Sequence, residues 1–481
     1  MVRHRLCIIG DALLDIDWTG EVRRVCRDAP APVVDAPVET VRAGGAGLAA
    51  TLAAGTGADV TLVTALAADD DGRRLAEVLR SAGVHVIDLG LAAPTPVKLR
   101  VRSGGQSLAR IDRACDPVVA PGAWSEAATA AVDAADAVLV SDYGRGMAAL
   151  RPVIDLCAQQ GAGFPLVWDP HSDGPRCPAG VTLATPNAAE AHGMVGAGGP
   201  TPTVTPEVVA LAATVSTSLG CPVALTAGER GAVLAEGSAL PVVVPARAVP
   251  GDPCGAGDAF SVAATVALAG GASLRQAVED AVAAAAAYVG TNGRAAGGDG
   301  GRLGTDGEGT TAREGRRRTV VPLASARDRA AAAVTSASAV RRSGGVVVTA
   351  GGCFDVLHAG HVRLLEHARD LGDHLVVLLN DDDSVRRLKG PGRPLNPVAD
   401  RAAVLRSLAC VDEVVIFDED TPAEALRRLQ PHLFVKGADY EGADIEERRV
   451  MAPWGGQVVL VPLVDGRSTT RLIDTAVAAG G

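Results

Sequence analysis

The sequence predicts an α/β protein of two units, each with a largely parallel sheet flanked by helices, and three observations favour this class. The 481 residues exceed one ordinary domain of roughly 100–200 residues. Hydrophobic residues make up 48% of the chain and aromatic ones only 2%, so buried cores must consist mainly of Ala, Val and Leu. Short β-branched runs alternate with helix-length, Ala-rich stretches, as in strand–helix repeats.

The first predicted unit spans residues 1–292. Its strand-like runs alternate with helical stretches and are Leu6–Ile9, Val60–Val63, Val138–Val140, Leu166–Trp168 and Val223–Thr226. Two more polar runs, Val97–Arg102 and Ser107–Ile111, flank a glycine pair. They predict a β-hairpin that forms a small lid.

Composition changes after residue 292. Residues 293–319 are rich in glycine and charged side chains and nearly free of bulky apolar ones, which predicts a flexible linker. Residues 320–481 begin with a helical pattern at Leu323–Arg342. The strand-like runs that follow predict a compact doubly wound domain; they are Val346–Thr349, Leu375–Leu379, Val414–Phe417, Leu433–Val435 and Val458–Pro462.

Charge, cysteines and hydropathy exclude several classes of protein. The 45 basic and 56 acidic residues give a net charge of −11 without a long basic block, so we expect no nucleic-acid partner. The nine scattered cysteines form no C-x-x-C pair, which is typical of reduced thiols. No apolar run approaches the ~20 residues of a membrane span, and the short run before Asp11 is not a signal peptide. We expect a cytoplasmic protein that does not bind membranes.

The densest candidate site of the first unit is the segment Asp252–Asp258, followed by an apolar helical run. Small residues that open a helix let backbone N–H groups approach a phosphate, and the helix N-terminus favours negative charge. A carboxylate held there, Asp258, can act as a general base on a hydroxyl group. A glycine-rich turn that caps an ordinary helix is the structural alternative.

Over nearly its whole length, the first unit resembles ribokinase-like (PfkB) sugar kinases, and specifically heptose 7-phosphate kinases. The matching segments keep the order and spacing of that family. They are Gly10–Asp15, Arg24–Val33, Gly44-Gly45, Lys98–Arg100, Ser141–Tyr143, Asp169-Pro170, Pro186–Glu190, Thr226–Gly228 and Asp252–Asp258.

The resemblance implies a role for each group of residues. Asp258 would be the catalytic base, and Gly255, Ala256 and Gly257 would form the anion hole. ATP would lie at Asn187, Ala188, Ala189, Glu190, Thr226 and Gly228, with Glu190 acting on Mg²⁺ through water. The sugar phosphate would face Asp15, Gly44, Gly45, Lys98 and Arg100. The structural alternatives are a helix cap for Asp15, a solvated strand face for Lys98 and Arg100, and a turn for Asn187.

Three positions depart from the family pattern. Leu48 stands where the family has Asn after the glycine pair, and His171 and Arg145 each replace a lysine. The phosphoryl-transfer residues are retained, whereas a leucine cannot hydrogen-bond a sugar hydroxyl. These departures keep open a substrate other than the common heptose.

The second candidate site is the segment Gly351–His361, directly after a predicted strand. Its glycines let nucleotide phosphates approach the backbone at a helix start. His358 and His361 can donate hydrogen bonds to the phosphates as charge develops. No Cys or Glu completes a metal site with them at ligand spacing, and two helix-capping histidines are the structural alternative.

Residues 344–475 resemble the cytidylyltransferase-like nucleotidyltransferases, and most closely the adenylyltransferase half of bifunctional heptose phosphate enzymes. The matching segments are Thr349–Asp373, Arg387–Pro394, Asn396–Arg401, Asp418–Pro422, Val435–Tyr440 and Gly466–Thr470. By this resemblance, His358 and His361 stabilise the pentacoordinate phosphorus and Lys389 neutralises phosphate charge. The further nucleotide contacts would be Phe354, Asp355, Arg401, Lys436, Ser468, Thr469 and Thr470.

The whole chain therefore resembles the bifunctional heptose 7-phosphate kinase and heptose 1-phosphate adenylyltransferase family. The resemblance implies a ribokinase-like domain with a small β lid and a Rossmann-like nucleotidyltransferase domain, which use ATP and Mg²⁺ on sugar phosphates. Ribokinase-like proteins often dimerise through the lid, so we expect a homo-oligomer formed near residues 97–111. Three alternatives stay open: another sugar phosphate, another nucleoside triphosphate in the second half, or a first half that senses a sugar phosphate.

Overall fold

The computed structural model describes residues 3–104, 106–115, 120–158, 163–196, 205–296, 326–437 and 446–462. The chain divides into two compact units, the first mainly before residue 298 and the second mainly after it. The prediction of an α/β architecture is confirmed in both units. No helix within the described ranges is long and apolar enough to cross a membrane.

The first unit alternates strands and helices along most of its length. In chain order the elements are β1 (Arg5–Gly10), β2 (Ala12–Val25), β3 (Pro32–Gly45), α1 (Ala46–Gly55), β4 (Asp59–Thr64), α2 (Asp70–Ser81), β5 (His85–Asp88), β6 (Val97–Ser103), β7 (Gln106–Arg113), α3 (Glu126–Asp133), β8 (Ala137–Ser141), α4 (Arg151–Ala158), β9 (Leu166–Asp169), β10 (Leu183–Ala184), α5 (Ala188–Val195), α6 (Pro206–Leu219), β11 (Val223–Thr226), β12 (Ala232–Ala235), α7 (Ala256–Ala269) and α8 (Leu274–Ala296). Between β12 and α7 the chain also forms β13 (Val242–Val244), of which Val242 and Val243 belong to the second unit.

The main sheet of the first unit has the strand order β12-β11-β10-β9-β8-β1-β4-β5. Strands β11 and β12 are antiparallel, and the other neighbours in this order are parallel. Parallel strands joined by helices end at one edge, where the loops carry functional groups. Asp11, Tyr143 and Asn187 lie in the short segments at this edge, and Asp169 is the last residue of β9.

A second, four-stranded sheet has the order β3-β2-β6-β7. The predicted lid hairpin is confirmed, with β6 and β7 antiparallel. The lid is larger than predicted, because β2 and β3, each 14 residues long, pair with each other, and β2 also pairs with β6. Strand β2 leaves the main sheet directly after β1, which places the lid next to the edge that carries the loops.

The second unit contains α9 (Ala326–Arg342), β14 (Val347–Gly352), α10 (Ala359–Asp370), β15 (His374–Asn380), α11 (Asp382–Lys389), α12 (Val398–Ser407), β16 (Glu413–Phe417), α13 (Ala423–Leu429), β17 (Leu433–Gly437), α14 (Glu446–Met451) and β18 (Gln457–Val461). Its strands are all parallel in the order β16-β15-β14-β17-β18. This order is typical of doubly wound sheets, in which the strand order reverses at the first strand, here β14. In such sheets a ligand binds at the carboxyl end of that strand. Gly351 and Gly352 end that strand.

The predicted linker falls largely on residues that the structure does not describe. Helix α8 continues through Ala296, so the first four residues of the segment 293–319 are helical rather than part of a flexible connection. The predicted helix Leu323–Arg342 is described from Ala326 onward.

Gly10 allows the close approach of β1 and β8 beneath the first site. A Cβ atom at this position would lie 2.0 Å from the carbonyl oxygen of Ser141 and 2.8 Å from the Cβ of Ala46. Both neighbours belong to packed elements, so the extra methyl group would have to displace backbone.

We expect Gly10→Ala to lower the free energy of unfolding of the first unit by about 1–3 kcal/mol, the usual cost of overpacking a core. Urea unfolding followed by circular dichroism measures the change. Gly55→Ala is the matched control, since no atom lies within 4 Å of the added Cβ at the end of α1. Equal midpoints for the two variants would contradict the proposed close packing.

Candidate active sites

The segment that carries Asp258 opens helix α7, as predicted. Gly255 is the N-cap residue, with a φ of 87°. A Cβ atom there would also lie 2.7 Å from the Tyr288 hydroxyl oxygen and 2.8 Å from the Cδ2 of Leu48. Both the backbone conformation and the space therefore require glycine at the helix start. Asp258 follows in the first turn, and only 5% of its surface is exposed.

The Asp258 carboxylate is the centre of the first site. The Tyr143 hydroxyl lies 2.9 Å from each of its oxygens and donates to them. Burial raises the pKa of Asp258 to about 7, while the Tyr143 hydrogen bond opposes that rise. Asp15 raises the pKa of Asp258 further and Lys98 lowers it. A carboxyl group with a pKa near 7 is suited to accept a proton at neutral pH.

The predicted substrate-side residues meet around this carboxylate. Arg100 donates from Nη1 to Asp15 Oδ1 at 3.0 Å, and its Nη2 lies 3.7 Å from the sulfur of Cys254. Asp15 lies within β2, so the alternative of a helix cap is wrong for this residue. The Lys98 ammonium lies 5.7 Å from the centre of the Tyr143 ring.

Gly44 and Gly45, the predicted glycine pair, end β3 beside the same residues. A Cβ atom on Gly44 would lie 2.5 Å from Asp15 Oδ2. The backbone at the end of β3 therefore lies against the Asp15 carboxylate. Any residue larger than glycine at position 44 would displace that carboxylate.

A cavity of about 730 Å³ adjoins the start of α7. Its lining includes the predicted nucleotide residues Asn187, Ala188, Ala189, Thr226 and Gly228, together with Ala256 and Gly257 of the predicted anion hole. The remaining wall is largely aliphatic, with side chains from α8 such as Ala285 and Val289. A cavity with glycine backbone at one end and small apolar side chains along its wall has the size and lining of a nucleotide site.

Glu190 and Asn187 form a capping box at the start of α5. Asn187 Oδ1 accepts from the Glu190 amide at 3.0 Å, and Glu190 Oε2 accepts from the Asn187 amide at 2.8 Å. Asn187 is thus a helix cap and also lines the cavity. Burial raises the pKa of Glu190, and burial together with the charges of Asp258 and Glu190 raises the pKa of Asp169.

Each of the three residues that depart from the family pattern contacts another residue of the first unit. Leu48 packs against Gly255 at the N-cap of α7. The His171 ring stacks on Tyr143, with ring centres 6.2 Å apart and planes inclined by 26°. Arg145 donates to the carbonyl of Ala114 at 2.7 Å.

Sequence reasoning did not assign a role to Tyr143 or to Asp11. Asp11 accepts the backbone amides of Tyr143, Arg145 and Met147 at 3.3, 3.1 and 3.1 Å. These bonds fix the loop after β8, which presents Tyr143 to Asp258. The sequence marks Ser141–Tyr143 only as a family-like segment that follows a buried strand. No pattern in this segment indicates that Tyr143 contacts Asp258.

The second site lies at the carboxyl end of β14. His358 is the N-cap of α10, and its Nδ1 accepts the amide of Gly360 at 3.1 Å. The rings of His358 and His361 stack with centres 3.9 Å apart. Burial and the neighbouring His358 lower the pKa of His361 to about 4. His361 is therefore uncharged at neutral pH and donates through one ring nitrogen only.

Asp355 and Lys436, two of the residues predicted to contact the nucleotide, have polar partners within the protein. Asp355 Oδ2 lies 2.8 Å from Arg393 Nη1, and its Oδ1 accepts the amides of Leu395 and Asn396 at 2.6 and 3.1 Å. Lys436 forms an ion pair with Glu447 at 2.9 Å.

Arg401 is buried, with 3% of its surface exposed. It donates to the carbonyl oxygens of Cys353, Asn380 and Asn396 and to the carboxylate of Asp382. These four contacts engage all three guanidinium nitrogens, so the structure corrects its predicted role. Arg401 braces the glycine-rich turn instead of facing a nucleotide.

The other predicted residues of this site occupy different positions. Phe354 has a φ of 45°, is buried, and its ring packs below Gly352 and 5.3 Å from that of His361. Lys389 ends α11 with an exposed side chain. Ser468, Thr469 and Thr470 lie outside the described residues.

Comparisons with known proteins agree with this geometry. The pfkB family carbohydrate kinase model matches residues 3–297, well over half of the chain. The chain belongs to the PfkB carbohydrate kinases. The cytidylyltransferase-like family model matches residues 349–473.

Two similar proteins match this chain over both halves, and one solved structure matches part of it. A Streptomyces coelicolor protein named "Bifunctional protein HldE" is 46% identical over 480 residues, with 98% of this chain and 97% of the relative covered. An Azorhizobium caulinodans protein of the same name is 38% identical over 488 residues, with 98% of each covered. A tetrameric, inhibited form of Escherichia coli phosphofructokinase-2 is 21% identical, covering 62% of this chain and 97% of that one, with a TM-score of 0.48. The chain belongs to the bifunctional HldE family and is a PfkB sugar kinase and a nucleotidyltransferase that uses ATP as co-substrate.

The low pKa of His361 gives a direct test of the second site. In a histidine-labelled sample, we expect one of the nine imidazoles to titrate near pH 4 by nuclear magnetic resonance. His361→Gln assigns that signal. His358→Ala should raise the midpoint, because it removes one of the two causes of the shift. A His361 midpoint near the ordinary value of about 6.5, or one unmoved by His358→Ala, would contradict the stacked, buried pair.

Proposed function

We propose that the first unit transfers the γ-phosphoryl group of ATP to the O1 hydroxyl of heptose 7-phosphate. The second unit would then transfer AMP from ATP to heptose 1-phosphate and yield ADP-heptose and pyrophosphate. The observation that carries the proposal is the position of Asp258. It directly follows Ala256 and Gly257, which line the large cavity, and the charges of Asp15 and Lys98 act on its carboxylate. A base that acts on a sugar hydroxyl facing ATP needs neighbours of both kinds.

In the kinase reaction, Asp258 accepts the proton of the sugar hydroxyl while that oxygen attacks the γ-phosphorus of ATP. The backbone amides of Gly255 and Gly257 would face the transferred group at the start of α7, where the helix dipole favours negative charge. The Ala256 amide, predicted to join them, donates to the carbonyl of Pro253 at 3.0 Å. Lys98 and Arg100 supply positive charge on the sugar side. Asn187, Ala188, Ala189, Thr226 and Gly228 line the adenosine side.

Mg²⁺ fits the carboxylates beside this site. Mg²⁺ prefers oxygen ligands and keeps several waters, and the half-buried carboxylates of Asp169 and Glu190 supply such oxygens near Asp258. Glu190 would hold the ion through water. The ion would supply charge neutralisation to the phosphates of ATP.

In the transferase reaction, the phosphate oxygen of heptose 1-phosphate attacks the α-phosphorus of ATP, and pyrophosphate leaves. His358 and His361 donate hydrogen bonds to the oxygens of the pentacoordinate phosphorus, and Lys389 neutralises phosphate charge. We assign Ser468, Thr469 and Thr470 to the nucleotide phosphates on the family resemblance. Phe354, Asp355 and Arg401 hold the turn in shape, and Lys436 reaches the nucleotide only if its pair with Glu447 opens.

The two reactions imply an intervening step. The kinase product carries phosphate at both C1 and C7, whereas the transferase takes a sugar 1-phosphate. A phosphatase must therefore remove the 7-phosphate between them, and direct transfer of the intermediate from one site to the other is excluded by this chemistry.

We further propose that residues 1–292 and 320–481 are the two functional domains and that the protein acts in the cytoplasm, where ATP and sugar phosphates are available.

We infer a homo-oligomer formed through the lid. Every residue of β7 is exposed, and apolar side chains on β2 and β3, including Val25 and Val38, are exposed as well. A lid-mediated contact would cover this surface.

One observation favours a second candidate substrate. Leu48 packs against Gly255 beside the anion hole, where a polar side chain would be able to bind a sugar hydroxyl. A sugar phosphate that lacks that hydroxyl, or presents it elsewhere, is therefore the alternative to the common heptose.

The first experiment is mass spectrometry of the products formed with Mg-ATP and inorganic pyrophosphatase. One sample contains heptose 7-phosphate and the other heptose 1-phosphate. We expect a bisphosphate in the first and ADP-heptose in the second. Formation of ADP-heptose alone would show that the first unit takes another sugar or senses a sugar phosphate without phosphorylating it. Formation of neither product would reject heptose as the substrate of both units.

Single substitutions separate the two activities. Asp258→Asn should lower the kinase rate at least about 100-fold, because it removes the base, and should leave ADP-heptose formation unchanged. His358→Ala should lower ADP-heptose formation by about the same factor, since it removes a donor to the transition state, and leave the kinase unchanged. Each variant is the control for the other. A kinase rate that survives Asp258→Asn would reject the assigned base.

A further inference from the structure

Tyr143 connects three elements of the first unit at Asp258. It follows β8, and its hydroxyl lies 2.9 Å from both oxygens of the Asp258 carboxylate on α7. One face of its ring lies below the Lys98 ammonium of β6, at 5.7 Å from the ring centre. The ring also stacks on His171, which follows β9. The hydroxyl is thus held at a fixed place with respect to the base.

The backbone of Tyr143 is fixed as firmly as its ring. The buried Asp11 carboxylate accepts the amide of Tyr143 and two further amides of the same loop. Such a loop cannot turn the tyrosine away without breaking buried hydrogen bonds to a carboxylate, which are costly to lose.

We propose that Tyr143 is a positioning residue for phosphoryl transfer: its hydroxyl orients the Asp258 carboxylate and supports the negative charge of that base until the sugar proton arrives. This proposal rests on the assignment of Asp258 as the base.

The charges around Asp258 show why such a donor is needed. Asp258 is buried, and the carboxylates of Asp15 and Asp169 lie close enough to affect its charge or to be affected by it. Lys98 is the cation that opposes them. A buried carboxylate near two others loses its proton only with help from hydrogen bonds and positive charge. Tyr143 supplies the hydrogen bond, and its own pKa is raised well above the ordinary value by burial and by Asp258, so it stays protonated.

The proton balance is simple. The tyrosine keeps its proton throughout and shares it between the two carboxylate oxygens. The sugar O–H proton moves to Asp258, the sugar oxygen bonds to the γ-phosphorus, and the bond from that phosphorus to ADP breaks. The remaining lone pairs of the carboxylate point away from the tyrosine and can accept the sugar hydroxyl.

Tyr143→Phe tests the hydroxyl alone, because it keeps the ring and its contacts with Lys98 and His171. We expect kcat of the kinase reaction to fall about 10- to 100-fold, the range of one hydrogen bond to a charged group. The base must be ionised, so activity rises with pH through the pKa of Asp258, about 7. Loss of a donor to the ionised form raises that pKa, and the acid limb of kcat should move to higher pH.

Tyr143→Leu and the second activity provide the controls. Tyr143→Leu removes the ring as well, so a residue that merely fills space would give an active Phe variant and an inactive Leu variant. That pattern would overturn the proposal. The rate of ADP-heptose formation by the same samples should equal that of the unchanged protein. This rate is the control that shows that the variant protein is intact. A Phe variant with a lower kcat but an unmoved acid limb would also overturn it.

Asp258→Asn separates failure of this proposal from failure of the proposed function. If Asp258→Asn abolishes the kinase and Tyr143→Phe leaves kcat and its pH profile unchanged, the base stands and the role of Tyr143 is rejected. If Asp258→Asn keeps the kinase active, the assigned base is rejected, and the role of Tyr143 is rejected with it.

Discussion

A buried negative charge is the constraint around which the first unit is built. Asp258 lies at the start of α7 with almost no exposed surface, where an unpaired carboxylate would take up a proton and lose its use as a base. The helix N-terminus, the Tyr143 hydroxyl and the Lys98 ammonium each offset part of that cost. The main sheet supplies α7 and the loop of Tyr143, and the lid supplies Lys98. The site is therefore complete only when the lid strand β6 lies against the sheet.

Much of this arrangement is predictable from the sequence, because it is local. Small residues before Asp258 predict a helix start with an anion site, and the polar runs around residues 97–111 predict a hairpin. The contact between Tyr143 and Asp258 joins residues 115 positions apart, so no local pattern indicates it. The full length of β2 and β3 was missed for a similar reason, since their polar, exposed stretches are stabilised by pairing with each other rather than by burial.

Arg401 shows the same limit in the second unit. A basic residue in a phosphate-binding family suggests an anion contact, and its position after Asn396 gives no reason to doubt it. Its burial depends on a pocket formed by three segments, which end at Cys353, Asn380 and Asn396. Three carbonyl oxygens without a donor would be costly inside the protein, and Arg401 satisfies them at once. The spacing of residues in the sequence predicts where the glycine-rich turn lies. Only the folded structure shows that Arg401 stabilises this turn through hydrogen bonds.

The electrostatics of the two sites follow from their nucleophiles. A sugar hydroxyl must lose a proton to attack phosphorus, so the proposed kinase reaction needs a base, and the Tyr143 hydrogen bond and Lys98 oppose the rise in the pKa of Asp258 that burial causes. The phosphate of a sugar 1-phosphate is already anionic, so a carboxylate beside it would repel it. The second unit accordingly places two imidazoles at the end of β14, and the low pKa of His361 keeps that ring a neutral donor. Both candidate sites include a helix N-terminus, where we propose that phosphate binds, and they differ in the side chain beside it: a carboxylate in the first unit and imidazoles in the second.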